Sequence, residues 1–370
     1  MHIKTMVGVS WLCGVALAAA GCVDMGTGLP GPDGAAPSDM AMKPPDIAPM
    51  SDGAGPQPDL AGTTLKFAPR QPMPTPRVDF AVAVHQDRIY TIGGYTGSMS
   101  KVVEVYDPAK DTWQRKADEP TARRLAFAAT VGDAIYVIGG VNGINTVTYP
   151  LAVERYDPAT DTWATKSSAP IEPPGNDIEG NQYVAGAAVG DRIYVAIYNT
   201  GPSYTTATFA YDPLTDQWNQ MKTAGPLRSD EMIAAVIGTK MHVMQRSGNL
   251  LGMGQREMAV YDPGTDAWTS ELPPPDVPDN RDWAGLVAAG GRLYVIGGFV
   301  HGVFTPDGAR GTVQSFDPAT SQWQQEAPLG TPRAVPGVAT VAGRIYVIGG
   351  SLTFPRMPVP TGAVEVGSFN

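Results

Sequence analysis

Charged and aromatic side chains gather at corresponding places along this 370-residue chain, most of them just after a recurring arginine. Asp79 follows Arg77, Arg124 follows Arg123, Asp282 and Trp283 follow Arg281, and Val335 follows Arg333. Tyr183, and Asp230 with Glu231, stand at the matching places of two further segments, with Glu179 nearby. Carboxylates, guanidinium groups and rings together suit a polar ligand such as a sugar or a peptide side chain. Glu231 with Arg228, or Glu179 with Arg124, offers an acid–base set. His85, His242 and His301 form no pair with metal-ligand spacing. No Ser-His-Asp set and no phosphate-cradling glycine loop occurs in a fitting context. No metal and no cofactor is therefore expected. Arg77, Arg123, Arg281 and Arg333 recur with the pattern itself, so a structural role suits them, although Arg281 also lies beside the candidate ligand contacts.

The elements that must position these groups announce themselves by repetition. Tyr106, Tyr156, Tyr211, Tyr261 and Phe316 each begin an aromatic-Asp-Pro triplet, and a tryptophan follows seven residues later at 113, 163, 218, 268 and 323. The triplets are 50, 55, 50 and 55 residues apart, which is the period of a repeat architecture. A second phrase, Arg-Ile-Tyr-x-Ile-Gly-Gly, runs from Arg88 to Gly94 and again from Arg344 to Gly350. Each repeat reads as four short strands. Phe80–Val84 is small and apolar throughout, Arg88–Ile92 ends on a glycine pair, Lys101–Tyr106 alternates, and Trp113 opens the outermost strand. The rings fill the space between neighbouring sheets, which makes nearly all of them structural.

Composition bounds the rest. A net charge of −10 disfavours nucleic acid, whose phosphates need a basic surface. The two cysteines, Cys13 and Cys22, precede the repeats, so the repeats hold neither a disulfide nor a thiolate metal site. Residues 1–21 read as a signal peptide, with Lys4 before the apolar stretch Met6–Ala20. Residues 22–63 read as a tether: positions 23–63 hold eight Pro, seven Gly and six Asp, too little apolar surface to offset ordering. Such a coil spans on the order of 35 Å root-mean-square. Residues 64–370 form the folded domain.

Two resemblances follow from these residues. Ala19-Ala20-Gly21-Cys22 resembles a bacterial lipobox, which implies cleavage before Cys22 and lipidation of its thiol. Val23, not Asp, follows the cysteine, so nothing resembles an inner-membrane retention signal. The expectation is an exported cell-envelope lipoprotein at the outer membrane or cell surface, touching the membrane only through its anchor. The glycine doublet with spaced Tyr and Trp over 67–370 resembles the kelch repeat, which implies an all-β, β-propeller fold with one four-stranded blade per repeat. Second strands near Tyr90, Tyr136, Tyr194, His242, Tyr294 and Tyr346 count six blades. Phe67 lies ten residues before Arg77, as Trp113 does before Arg123, so the N-terminal strand around Phe67 is expected to close the last blade.

Spacing then separates two faces. Thirteen residues part Arg77 from Tyr90, Arg123 from Tyr136, Arg281 from Tyr294 and Arg333 from Tyr346, and aromatic-to-Trp spacing is always seven. All larger length changes fall in the other connections, as loops carrying function on a rigid scaffold behave. In kelch domains the residues after the repeated arginine line the mouth of the central channel. The resemblance thus implies a mouth formed by Asp79, Arg124, Tyr183, Asp230, Glu231, Asp282, Trp283 and Val335, with Glu179 and Arg281 beside it. The galactose-oxidase type of relative needs a Tyr–Cys crosslink at its copper, which a chain without Cys after Cys22 cannot form. The leading expectation is a recognition module binding a protein or glycan by its variable face. The alternative is a metal-free carbohydrate-active enzyme resembling a sialic-acid epimerase or mutarotase.

Overall fold

The computed structural model describes residues 64–142, 151–170, 184–199, 205–227, 232–245, 257–271, 281–300, 308–353 and 358–369. The expected signal peptide, Cys22 and the tether lie outside them. Among the described residues the strands form six four-stranded antiparallel sheets and one two-stranded ribbon, Phe299–Val300 with Gly308–Ala309. From inner to outer strand, blade 1 is Ala81–His85, Arg88–Ile92, Val103–Asp107 and Thr112–Lys116. Blade 2 is Arg124–Val131, Ala134–Val141, Leu151–Asp157 and Thr162–Ala169. Blade 3 is Ala185–Val189, Arg192–Asn199, Thr205–Asp212 and Gln217–Gln220, and blade 4 is Met232–Ile237, Lys240–Gln245, Met258–Asp262 and Ala267–Glu271. Blade 5 is Gly285–Ala289, Arg292–Ile296, Val313–Asp317 and Gln322–Gln325. Blade 6 is Gly337–Val341, Arg344–Ile348 and Val364–Phe369, completed by Leu65–Arg70. The inner strands neighbour one another in a closed circuit, so this is a six-bladed β-propeller. The N-terminal strand pairs with the last strand from Leu65↔Phe369 to Arg70↔Val364.

An apolar cluster fills each of the six seams between blades. Two hydrogen-bonded devices supplement them. The first is built from the recurring aromatic-Asp-Pro phrase. The Tyr106 hydroxyl donates to Asp111 Oδ1 at 2.6 Å, and that oxygen accepts the N–H of Gln71 from the preceding blade at 2.9 Å. The Trp113 indole donates to the Gln71 carbonyl at 2.9 Å, so both backbone groups of one residue are clamped. Asp161 and Trp163 hold Ala117 likewise, and Asp216 and Trp218 hold Ser167. Burial and the adjacent carboxylate push the Tyr106, Tyr156 and Tyr211 phenols well above their usual range.

The second device uses the recurring arginine and the glycine pair. Arg77, Arg281 and Arg333 are fully buried, and Arg123 nearly so. Arg77 donates to Glu104 Oε2 at 2.6 Å and to the Thr91 carbonyl and hydroxyl. Arg123 reaches Glu154 and the Gly139 carbonyl, and Arg333 reaches Glu365 at 2.9 Å. The guanidinium thus ties the first three strands of its own blade. Its backbone carbonyl accepts the N–H of the preceding blade's second glycine: Gly94 to Arg123 at 2.8 Å, Gly298 to Arg333 at 2.9 Å and Gly350 to Arg77 at 3.3 Å. Gly94 has a φ of +98°, and a Cβ there would lie 2.7 Å from the Val78 carbonyl, so no other residue fits.

The blade 4–blade 5 seam departs from both devices. Phe316 and Ser321 replace the Tyr and Asp, and the buried Trp323 indole N–H finds no partner among the described residues. Met244-Gln245 replaces the glycine pair, leaving apolar packing of Met244, Met258, Leu286 and Phe316 to hold the seam. Phe316→Tyr alone will leave a buried hydroxyl unpartnered and lower stability, whereas Phe316→Tyr with Ser321→Asp restores the pair. Urea denaturation of the four-member mutant cycle should give a coupling of about 1 kcal/mol or more. Additive effects would show that the clamp adds nothing.

One carboxyl is buried where other blades are apolar. Glu119 is 1 % exposed and stands four residues before Arg123, as Met73 does before Arg77 and Leu329 before Arg333. Its Oε2 accepts from Arg123 Nε at 3.0 Å, but Oε1 has no partner among the described residues. Burial, only partly offset by Arg123, pushes this carboxyl up to about 7. The folded state therefore holds the proton more tightly than the unfolded chain. Stability from this group is complete below the ordinary carboxylate range, near 4.5, and is lost as pH rises through about 7. Between pH 5 and 8 the native chain should lose on the order of 2–3 kcal/mol relative to Glu119→Gln in parallel urea melts. Equal pH profiles would rule out a protonated Glu119.

Candidate functional site

The hairpins at one end of the blades are uniform because two chain geometries repeat. The first and second strands of every blade are joined by two residues, among them Gln86-Asp87, Gly290-Gly291 and Ala342-Gly343. In these three, both residues have positive φ, the primed turn that matches strand twist. Third and fourth strands of blades 1 to 5 are joined by four residues that end on Asp111, Asp161, Asp216, Asp266 or Ser321, all left-handed. At the opposite end the connections between second and third strands range from 200–204 in blade 3 to 297–312 in blade 5. The entry to each inner strand lies at this variable end.

The chain entering the inner strand follows one plan. The residue after the repeated arginine forms an antiparallel bridge with the residue after the glycine pair: Val78 with Tyr95, Asp282 with Phe299, and Ala334 with Ser351. Arg124 pairs in the same way with Val141. The next residue is left-handed in each case, with φ of +56° at Asp79, +63° at Leu125, +54° at Trp283 and +46° at Val335. For a β-branched valine this is a costly conformation, and it is held from outside the residue. Leu125 N–H donates to the Asp79 carbonyl, and Val335 N–H to the Trp283 carbonyl, both at 2.8 Å. These links run from blade to blade around the mouth.

This plan corrects the register of one candidate. Leu125, not Arg124, is the counterpart of Asp79, Trp283 and Val335, and it was missed because a charged neighbour drew the choice. Counting two residues from each recurring arginine would have found it. Arg124 instead stands at the bridge position. Its guanidinium lies 3.6 Å from Asp79 Oδ2 and 5.5 Å from the centre of the Tyr95 ring. Arg281 is corrected outright as a ligand contact. It is fully buried and donates to the carbonyls of Gly297, Val295 and Thr312 and to Gln314 Oε1, so a ligand cannot reach it. Asp282 spends its backbone on Phe299, and the Trp283 ring packs 6.5 Å from that of Phe299. Glu179, Tyr183, Asp230 and Glu231 lie outside the described residues.

Below the mouth, inner strands of all six blades surround a central cavity of about 170 Å³. The polar ring expected at the mouth rests largely on Glu179, Tyr183, Asp230 and Glu231, which are not among the described residues. Among the described lining residues Asp79 alone carries a charge, and the walls are aliphatic, aromatic or glycine. Phe80 lies against Gly337 and Phe127 against Gly186, where a Cβ would come within 2.5 and 2.3 Å of the respective rings. Val82, Ala128, Ile233 and Val338 border the cavity and are partly exposed while packing against the seams between blades. Among the described residues no group of His, Cys, Asp or Glu is arranged to hold a metal ion.

The chain is similar in sequence to known families and in fold to a solved structure. The KLHDC2/KLHL20/DRC7 Kelch-repeats domain matches residues 62–244, and the Kelch motif matches 284–330. Kelch-like protein 25 of Xenopus tropicalis is 28 % identical over 266 residues, covering 70 % of this chain and 42 % of its own length. Kelch-like protein terF of Aspergillus terreus is 25 % identical over 295 residues, 75 % of this chain and 61 % of its own. The chain thus spans under half the length of the first of these relatives. The solved structure of YjhT superposes with a TM-score of 0.63 at 16 % identity, covering 81 % of this chain and 98 % of that one, a likeness of fold. The chain is a β-propeller of six blades built from kelch repeats.

Proposed function

We propose that this propeller is a recognition module of the cell envelope, lipid-anchored at Cys22, that binds a protein or glycan with its variable-loop face. The observation that carries the reading is the division of the loops. One end repeats the same two- and four-residue turns, whereas the other varies in every blade and surrounds the mouth of the cavity. Kelch domains generally mediate protein interactions, which supports a protein ligand. The enzymatic alternative draws less support. Asp79 is the single acid lining the described part of the cavity, and it is paired with Arg124 at 3.6 Å. An acid–base mechanism needs a second group within reach of the same substrate.

Two experiments test the reading. The full chain with Asp79→Ala and Trp283→Ala should lose at least tenfold in affinity for any protein or glycan that the native chain binds on a glycan array or in cross-linked envelope fractions. Unchanged affinity would move the site elsewhere, and turnover of a sialic or aldose sugar by the native chain would replace recognition with catalysis. Cys22→Ser should abolish acylation, seen by mass spectrometry, and release the chain from the membrane fraction. Retention of the variant in that fraction would refute the anchor.

A further inference from the structure

The seam between blades 1 and 2 holds one more carboxyl than its arginine can neutralise. In blades 1 and 6 a single glutamate answers the buried arginine, Glu104 for Arg77 and Glu365 for Arg333. Arg123 meets two: Glu154 on the third strand of its blade, and Glu119 on the chain entering that blade. All three groups are buried. The other charges nearby leave this surplus standing. The exposed Lys101 gives its ammonium to the Pro120 carbonyl, Asp118 pairs with Arg115 at the surface, and Arg77 is held by Glu104. Two carboxylates beside one guanidinium leave a negative charge out of water, and a single proton removes it. Glu154 also accepts from the Thr121 hydroxyl at 2.7 Å, so the proton belongs on Glu119, whose Oε1 has no partner among the described residues. The upward push of burial on the Glu119 carboxyl agrees with that assignment.

Oε1 lies beside the link that joins the two blades. A Cβ built on Gly93 would stand 2.3 Å from Oε1 and 2.8 Å from the Arg123 carbonyl oxygen, so both oxygens crowd one glycine. In the seam between blades 6 and 1 the Met73 methyl fills the same slot, 2.9 Å from the equivalent point on Gly349, with the Arg77 carbonyl at 3.1 Å. The Arg123 carbonyl is the acceptor for the Gly94 N–H at 2.8 Å. A protonated Oε1 meets that carbonyl as an uncharged hydroxyl. An ionised one sets a second negative oxygen near it, with no water to screen the pair. Both ends of the link adjoin the mouth. Tyr95 follows Gly94 and its ring lies 5.5 Å from the Arg124 guanidinium, while Leu125 N–H holds the Asp79 carbonyl.

We infer that Glu119 is a proton-operated latch between blades 1 and 2, which holds the Gly94–Arg123 link when protonated and frees it, with the strand entry at Arg124 and Leu125, when ionised. Acid closes the latch and rising pH opens it, because the closed form keeps the proton that the open form releases. The device is local, since Leu329 and Met73 occupy this place in the seams on either side of blade 6. It does not depend on what the variable face binds.

Amide hydrogen exchange of the full chain, corrected for the intrinsic rate at each pH, provides the test. Between about pH 5.5 and 8, protection at Gly94 and Leu125 should fall about tenfold or more. Gly298 and Gly350 are the same amides in the seams that carry Leu329 and Met73, and theirs should hold. An equal fall at these two would mean that Glu119 acts only through global unfolding, and the latch would be lost. The Glu119 carboxyl carbon, followed by NMR, should titrate with a midpoint of about 7, and a midpoint in the ordinary carboxylate range overturns the inference. Glu119→Gln, neutral at every pH, should keep Gly94 protection constant. Should that variant fail to fold, Glu119→Met, which copies the seam held by Met73, decides instead. A fall at Gly94 as large as the native one in the variant that folds would assign the effect to another group and overturn the inference.

Discussion

A guanidinium group out of reach of water must have its hydrogen bonds met by protein, and much of this propeller is arranged to meet that demand. Taking such an ion out of solvent costs several kcal/mol, and removing one partner from a buried pair leaves the other uncompensated. Arg77, Arg123 and Arg333 are answered by Glu104, Glu154 and Glu365 on the third strand and by carbonyls of the second. Arg281 meets Gln314 instead, with more carbonyls making up the set. The arginine backbone, pinned by its own side chain, then presents a carbonyl to the next sheet's glycine. Two residues later the chain is left-handed and enters the cavity wall. In blades 1, 2, 5 and 6 one buried cation thus relates the core, the seam and the mouth.

The same constraint explains a coordinated loss. In blades 3 and 4 the arginine position holds Asn181 and Ser229, the glycine pair becomes Ala196-Ile197 and Met244-Gln245, and the glutamate position becomes Phe209 and Ala259. A glutamate retained without its arginine would be an orphan charge. Within blades 3 and 4 the arginine, the glutamate and the glycine pair are all absent. Between these blades a substitute has arisen: Thr206 bridges to Gly225, and its hydroxyl donates to the Leu227 carbonyl at 2.6 Å.

Much of this was legible in the sequence because the repeating groups are large and evenly spaced. Tyr and Trp could be used as rulers, and they gave six blades, two unlike ends and Phe67 in the place of a tryptophan. The structure bears out that last equivalence, since Gln71, four residues after Phe67, is clamped just as Ala117 is, four after Trp113. The cavity was less legible for a physical reason. Small apolar residues such as Ala81, Val82, Ala83 and Val84 read as a strand covered on both faces, as the two neighbouring seams make it, and nothing in their pattern marks the inner edge that borders the cavity. The charge of Arg124 likewise suggested a mouth residue, while the backbone geometry that selects Leu125 leaves no mark on composition. Glu119 shows the opposite case, a polar residue whose burial follows only from the Met73 and Leu329 that occupy its place elsewhere.

The pairing of Leu65 with Phe369 also bears on how the molecule is made. The two strands that complete the ring lie at opposite ends of about 300 residues of chain, so their union carries the largest loop-closure entropy of any contact in the fold. Until the last strand emerges, blade 6 is short of its third and fourth strands, and the outer edge of Arg344–Ile348 is open to pairing with another chain. A nascent propeller of this design is thus most exposed to association before Val364–Phe369 is made, when the other five sheets have all their strands and the N-terminal strand of the sixth still lacks its neighbour.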